Sequence, residues 1–141
     1  MRIVADTNTV LSGLLWQGPP RQIIDHARAG TITLHTSLVL LAELAEVIGR
    51  GKFAQRIQNA QLSAAGLVAD YQRLAVLVDP QPLPAPVSRD PDDDHVLACA
   101  LTANASLIVS GDHDLLELAT FRDIRILSAR EALDAIITAS G

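Results

Sequence analysis

Two rhythms of apolar and polar positions run along the chain. Short β-branched or continuously apolar runs stand at "RIVAD" (2–6), "TITLHT" (31–36), "AVLVDP" (75–80), "SLIVS" (106–110) and "IRIL" (124–127), and each predicts a strand. Between them the apolar positions fall at helical spacing. "TNTVLSGLLW" (7–16) carries Val10 and Leu14 on one face until Gly18-Pro19-Pro20 interrupts. "RQIIDHARAG" (21–30) is a helix closed by Gly30. Ser37 N-caps "LVLLAELAEVIGR" (38–50), whose stripe is Leu41, Leu44, Ala45 and Ile48. Further helices are predicted at "KFAQRI" (52–57), "AQLSAAGLVADYQRLA" (60–75), "DDDHVLACALTAN" (92–104), "DHDLLELA" (112–119) and "SAREALDAIITA" (128–139), the last capped by Ser128.

Strands alternating with helices predict an α/β fold, a mainly parallel sheet covered on both faces and joined by right-handed crossovers. The chain has 141 residues, 49% of them hydrophobic and 19% charged, enough for one domain, 1–141, with a real core. The Pro-rich stretch "PQPLPAPVS" (80–88) reads as a connection inside that domain, because too little follows it for a second one. No apolar run is long enough to cross a bilayer, and "MRIVADTN" lacks the apolar core of a signal peptide. A single cysteine, Cys99, excludes an intrachain disulfide framework and a multi-cysteine zinc site. A cytoplasmic protein without a membrane partner is the simplest expectation. The net charge of −5 argues against a general nucleic-acid binder, unless clustered carboxylates hold cations that reverse the local sign.

In a parallel α/β sheet, sites form beyond the carboxyl ends of the strands. Acids recur there: Asp6 after the first strand, Glu43 on the helix after the second, Asp90 to Asp94 after the Pro-rich loop, and Asp112 and Asp114 after "SLIVS". Asp6 and Asp112 could also serve as helix caps. Glu43 has Val39, Leu40 and Val47 as helical neighbours, where an unpaired carboxylate is costly. Glu46 reads as solvent-facing. In "RDPDDDHVLACA", Asp90 reads as an N-cap before Pro91, and Asp92 and Asp93 as first-turn acids favoured by the helix dipole. Asp94 shares a stripe with Leu97, Ala98 and Leu101, so it is the member expected to face the site.

Several carboxylates at one sheet edge repel one another unless cations neutralise them, and oxygen-only ligands suit Mg²⁺ or Mn²⁺. Such an ion can activate a water against a phosphodiester. His26, His35, His95 and His113 match no zinc pattern, and Cys99 sits mid-helix in apolar surroundings, as an inert thiol would. No phosphate-cradling glycine motif occurs. A phospho-accepting receiver-like domain would need a lysine after a late strand, but Lys52 is the only lysine.

These stretches resemble a known family. "IVADTNTVLSGL", "TSLVLLAELAEVI", "RDPDDDHVLACAL" and "ASLIVSGDHDLL" resemble, in order, the four motifs of PIN-domain ribonucleases, closest to the VapC-like toxins of toxin–antitoxin pairs. The resemblance implies a three-layer α/β/α sandwich and Mg²⁺- or Mn²⁺-dependent cleavage of RNA by a metal-activated water. It implies a cognate antitoxin that blocks the site, and a homodimer. It places the metal-binding, catalytic acids at Asp6, Glu43, Asp94 and Asp112, with Asp114 as the alternative fourth acid, and gives Asn8 and Ser110 supporting roles. Arg50, Lys52, Arg56 and Arg89 are candidate phosphate contacts, with a solvated basic turn as the competing reading. Trp16 and Phe53 form no evident stacking platform in the sequence and read as partner-interface aromatics. The rival reading of the whole chain is a catalytically silent PIN-like module that binds RNA or protein.

Overall fold

The computed structural model describes residues 1–140. Six strands, β1 (Arg2–Ala5), β2 (Thr33–Thr36), β3 (Val76–Leu77), β4 (Leu107–Val109), β5 (Thr120–Phe121) and β6 (Ile124–Leu127), make one sheet in the order β3-β2-β1-β4-β6-β5. All pairings are parallel except β5 with β6. Eight α-helices connect or follow the strands: α1 (Thr7–Leu15), α2 (Pro19–Arg28), α3 (Leu38–Ile48), α4 (Ala54–Asn59), α5 (Ala64–Leu74), α6 (Pro91–Ala103), α7 (His113–Leu118) and α8 (Ala129–Ser140). A 3₁₀ turn, Gly51–Phe53, leads into α4.

The period of two in the strands sorts their side chains into two cores. Ile3 and Ala5 of β1 and Leu107 and Val109 of β4 join Leu34 and the apolar faces of α1, α2, α3, α5 and α8. Val4 and Ile108, the alternate positions, turn to the opposite side and pack with Ile124, Ile126 and helices α6 and α7. The result is the expected three-layer α/β/α arrangement. Close packing between α1 and α2 depends on Gly13: a Cβ there would lie 2.5 Å from Ile24 Cδ1 and 2.9 Å from the Pro20 carbonyl oxygen.

Predicted boundaries shift at several elements, and one strand is added. α2 begins at Pro19 and Pro20 rather than after them, because proline at the first turn forfeits no intrahelical bond. The sequence reading also had no strand at Thr120–Phe121. That strand returns through Arg122 and Asp123, whose φ values of 49° and 69° make a two-residue turn of the type usually built from Asn-Gly.

β1 is followed by β2 on one side and, later, β4 pairs on its other side, so the strand order reverses between β1 and β4. This reversal opens a crevice at the carboxyl ends of those strands. Asp6 and Ser110, the residues immediately after β1 and β4, meet across it.

Candidate metal centre

The helices that leave this edge start on polar residues, and those same residues build the site. Asp6 N-caps α1 by accepting from the Thr9 N–H at 2.9 Å through Oδ1. Asp90 N-caps α6, accepting from the Asp92 N–H at 3.0 Å, with Pro91 at the first helical position. Asp112 N-caps α7 and accepts from the Asp114 N–H at 2.9 Å. Capping holds each carboxylate at a helix N-terminus, where the dipole favours negative charge.

A cleft of about 590 Å³ is lined by Asp6, Glu43, Asp90, Asp92, Asp93 and Asp112, with Thr7, Asn8 and Arg50 among its other walls. Ser110 lies beneath it, fully buried. Its hydroxyl donates to Asp6 Oδ2 at 2.5 Å, and its oxygen accepts from the Asp112 N–H at 2.9 Å. One serine on β4's exit therefore ties the acid of β1 to the acid of α7. Asn8, expected to support Asp6, stands exposed at the rim; Thr9 and Ser110 hold Asp6 instead.

The α6 acids divide differently from the sequence expectation. Asp93, not Asp94, enters the cleft. Asp93 is 6% exposed, and carboxylate oxygens of Asp90, Asp93 and Asp112 all lie within 4.8 Å of one another. Asp94 turns to the Pro-rich loop, where its carboxylate accepts from the Ser88 N–H at 2.8 Å and the Val87 N–H at 3.1 Å. The stripe argument misassigned it because α6 is buried on most sides: Asp93 is in register with Val96, Leu97, Ala100 and Ala103, a stripe as apolar as the one chosen for Asp94. Asp90, read as a cap alone, both caps and faces the cluster.

Charge crowding shows in the acids themselves. Burial, followed by a shared hydrogen bond and repulsion with Asp112, pushes the Asp93 carboxyl up to about 7; the Ser88 hydroxyl, donating at 3.0 Å, opposes this. Burial also raises Glu43 above its ordinary range, with further repulsion from Asp92, Asp6 and Asp90. The neighbouring Thr7 hydroxyl eases that shift without reaching hydrogen-bond geometry, and Thr7 Oγ1 is buried with no partner. Mutually repelling carboxylates and an orphaned hydroxyl make a site that added positive charge would stabilise, since its one cation, Arg50, is paired with Glu46. The donor set is oxygen throughout, and no histidine lines the cleft, so the residues fit a hard divalent cation. Asp6, Glu43, Asp90, Asp93 and Asp112 can hold it.

The remaining candidates lie outside the cleft or at its edge. Asp114 pairs with Arg89 at 3.4 Å on the surface, and neither lines the cleft. Arg50 lines the cleft and pairs with Glu46 at 3.6 Å. Lys52 and Arg56 lie further on, beside Phe53 and Trp16. Cys99 is buried in the second core, its thiol pushed up to about 12 by burial, as an unreactive thiol should be.

A parallel α/β/α fold with carboxylates converging where the strand order reverses defines a class: proteins that hold a divalent cation at the carboxyl edge of a sheet. Within it, the family model described as the PIN domain matches residues 2–114, and the chain belongs to that family. PIN domains are in general metal-dependent nucleases. Among curated proteins, none matches the chain. No helix among the described residues is long and apolar enough to cross a membrane.

Proposed function

We propose that the protein is a Mg²⁺- or Mn²⁺-dependent endoribonuclease acting as the toxin of a toxin–antitoxin pair. The observation that carries the reading is the convergence of Asp90, Asp93 and Asp112 within 4.8 Å, opposite Asp6 and Glu43. A bound divalent ion would supply Lewis acidity and a nucleophilic water for phosphodiester hydrolysis. The chain's own residues prepare the place. Asp6 is held by the Thr9 N–H and the Ser110 hydroxyl, which fix its orientation in the cleft. Asp93 and Asp112 would hold an ion as carboxylates, so ion uptake would release the proton that burial and repulsion favour on Asp93. Glu43, in the middle of α3, lines the same cleft. Arg50 is the cation placed to meet a phosphate at the cleft mouth.

The four motifs in family order support RNA as substrate and an antitoxin as partner, and the same resemblance supports a cytoplasmic homodimer. Incubation of purified protein with single-stranded RNA in Mn²⁺, against an EDTA control, tests the activity. Cleavage only with the ion is expected. Ion binding without cleavage would favour the silent binding module. Expression should arrest growth, and a small neighbouring open reading frame should relieve the arrest; a protein harmless on expression would remove the toxin role while leaving the nuclease.

A further inference from the structure

A basic, aromatic patch continues from the mouth of the cleft and is not needed for metal binding. No acid occurs between Glu46 and Asp70, and three cations, Arg50, Lys52 and Arg56, fall in that interval of an otherwise acidic chain. Trp16, at the end of α1, packs edge-to-face against Phe53, with centroids 6.1 Å apart and planes inclined at 67°. Lys52 Nζ lies 5.1 Å from the centre of the Phe53 ring, and the Arg56 guanidinium lies 5.9 Å from that of Trp16. Arg56 is fixed by donating from Nε to the Leu15 carbonyl at 2.8 Å. Phe53 is anchored in the main core, whereas Trp16 keeps 42% of its surface exposed.

This patch has the composition of a single-strand platform: an exposed indole for a base and cations beside it for the backbone. It is also continuous with the acids. α1 starts at Asp6 in the cleft and ends at Trp16, and nine helical residues span about 13 Å, the length of about two to four nucleotides. Arg50 belongs to the cleft wall and stands two residues from Lys52. We infer that Trp16, Phe53, Lys52 and Arg56 form a base-stacking and phosphate-binding subsite for a single-stranded nucleic acid whose scissile region lies in the acidic cleft. The patch is thus a substrate track and not the partner interface that its two aromatics suggest in the sequence. The inference rests on the nuclease reading for the place of the scissile region; binding itself is measured without the ion.

Trp16 is the only tryptophan, so it reports its own occupancy. In EDTA, titration with an unstructured 12-nucleotide RNA should quench the protein's fluorescence saturably. By anisotropy of the labelled RNA, Trp16→Ala and Lys52→Glu should each weaken binding, on the order of 5- to 150-fold for the lost stack. Lys52→Ala should flatten the log–log salt dependence by about 0.7. Trp16→Tyr should restore most of the affinity, which a purely structural defect would not show. With Mn²⁺, Trp16→Ala should raise KM far more than it lowers kcat. DNA of the same sequence should also bind, since stacking ignores the 2′-hydroxyl. An unquenched indole, together with RNA affinity unchanged in Trp16→Ala and Lys52→Glu, would overturn the subsite even if the wild type cuts RNA. Quenching and weakened binding in a protein that cuts nothing would uphold the subsite and remove the nuclease reading.

Discussion

At the scale of residues, the site is decided by which of two adjacent aspartates turns inward. Asp93 and Asp94 differ by about 100° around α6. Each has apolar neighbours three and four positions on, so periodicity cannot separate them. What separates them is a long-range partner: the end of the Pro-rich loop presents the Val87 and Ser88 N–H groups to Asp94. No local pattern announces that loop's path, which is why Asp93 was legible as an acid but not as a site acid. Asp6, Glu43 and Asp112, by contrast, line the cleft where the strand-end rule, which depends only on element order, predicts acids. Ser110 is fully buried and bonds both Asp6 and the Asp112 N–H. Ser110→Ala would leave Asp6 Oδ2 without its donor and free the Asp112 N–H, so metal affinity should fall by about 10- to 100-fold with the fold intact. Calorimetric titration with Mn²⁺ checks this, and an unchanged affinity would mean that Asp6 needs no support from β4.

At the scale of elements, two features convert local structure into measurable behaviour. The first is α6, which carries Asp93 into a buried position. The unfolded chain ionises this group near 3.8 and the folded chain near 7. Between those values the folded state holds the additional proton, so stability of the ion-free protein should fall as pH rises from about 4 to 7 and level off above. Melting temperatures in EDTA across that range should show the decline, and Asp93→Asn should flatten it. A slope unchanged by the substitution would place the proton elsewhere. The second is the contact of α1 with α2 at Gly13. Alanine would gain up to about 1 kcal/mol of helix propensity, but its Cβ meets Ile24 and the Pro20 carbonyl, and overpacking costs about 1–3 kcal/mol. Gly13→Ala should therefore lower stability in urea unfolding. The elements the sequence concealed share a physical cause: β5 has two residues and a turn made by Arg122-Asp123, so it carries neither a strand's periodicity nor the usual turn residues.

At the scale of the molecule, the fold brings seven acids to one crevice in a chain that is already acidic, and leaves the basic interval after Glu46 beside it. On the proposed function, this juxtaposition would let an acidic protein take a polyanion: a bound ion would neutralise the acids, and the flanking patch would supply fixed positive charge. Ion binding should also stabilise the whole chain. At 100 times Kd it should contribute about 2.7 kcal/mol, or roughly 5–10 °C in melting temperature for a chain of this size, with the shift growing as Mn²⁺ is raised. The overall architecture was open to inference because alternating strand and helix patterns admit few topologies; the pairing of a capping role with a ligand role in Asp90 was not, since a cap satisfies the sequence evidence by itself. The most direct test of the whole account compares Mn²⁺-dependent RNA cleavage by the wild type, Asp93→Asn and Asp94→Asn under one set of conditions. Asp93→Asn should lose on the order of 10²-fold or more in rate, whereas Asp94→Asn should stay close to wild type and lose only about 1 kcal/mol of stability from the loosened loop. Equal activities in the two variants, or the loss falling on Asp94 alone, would contradict the site as built here.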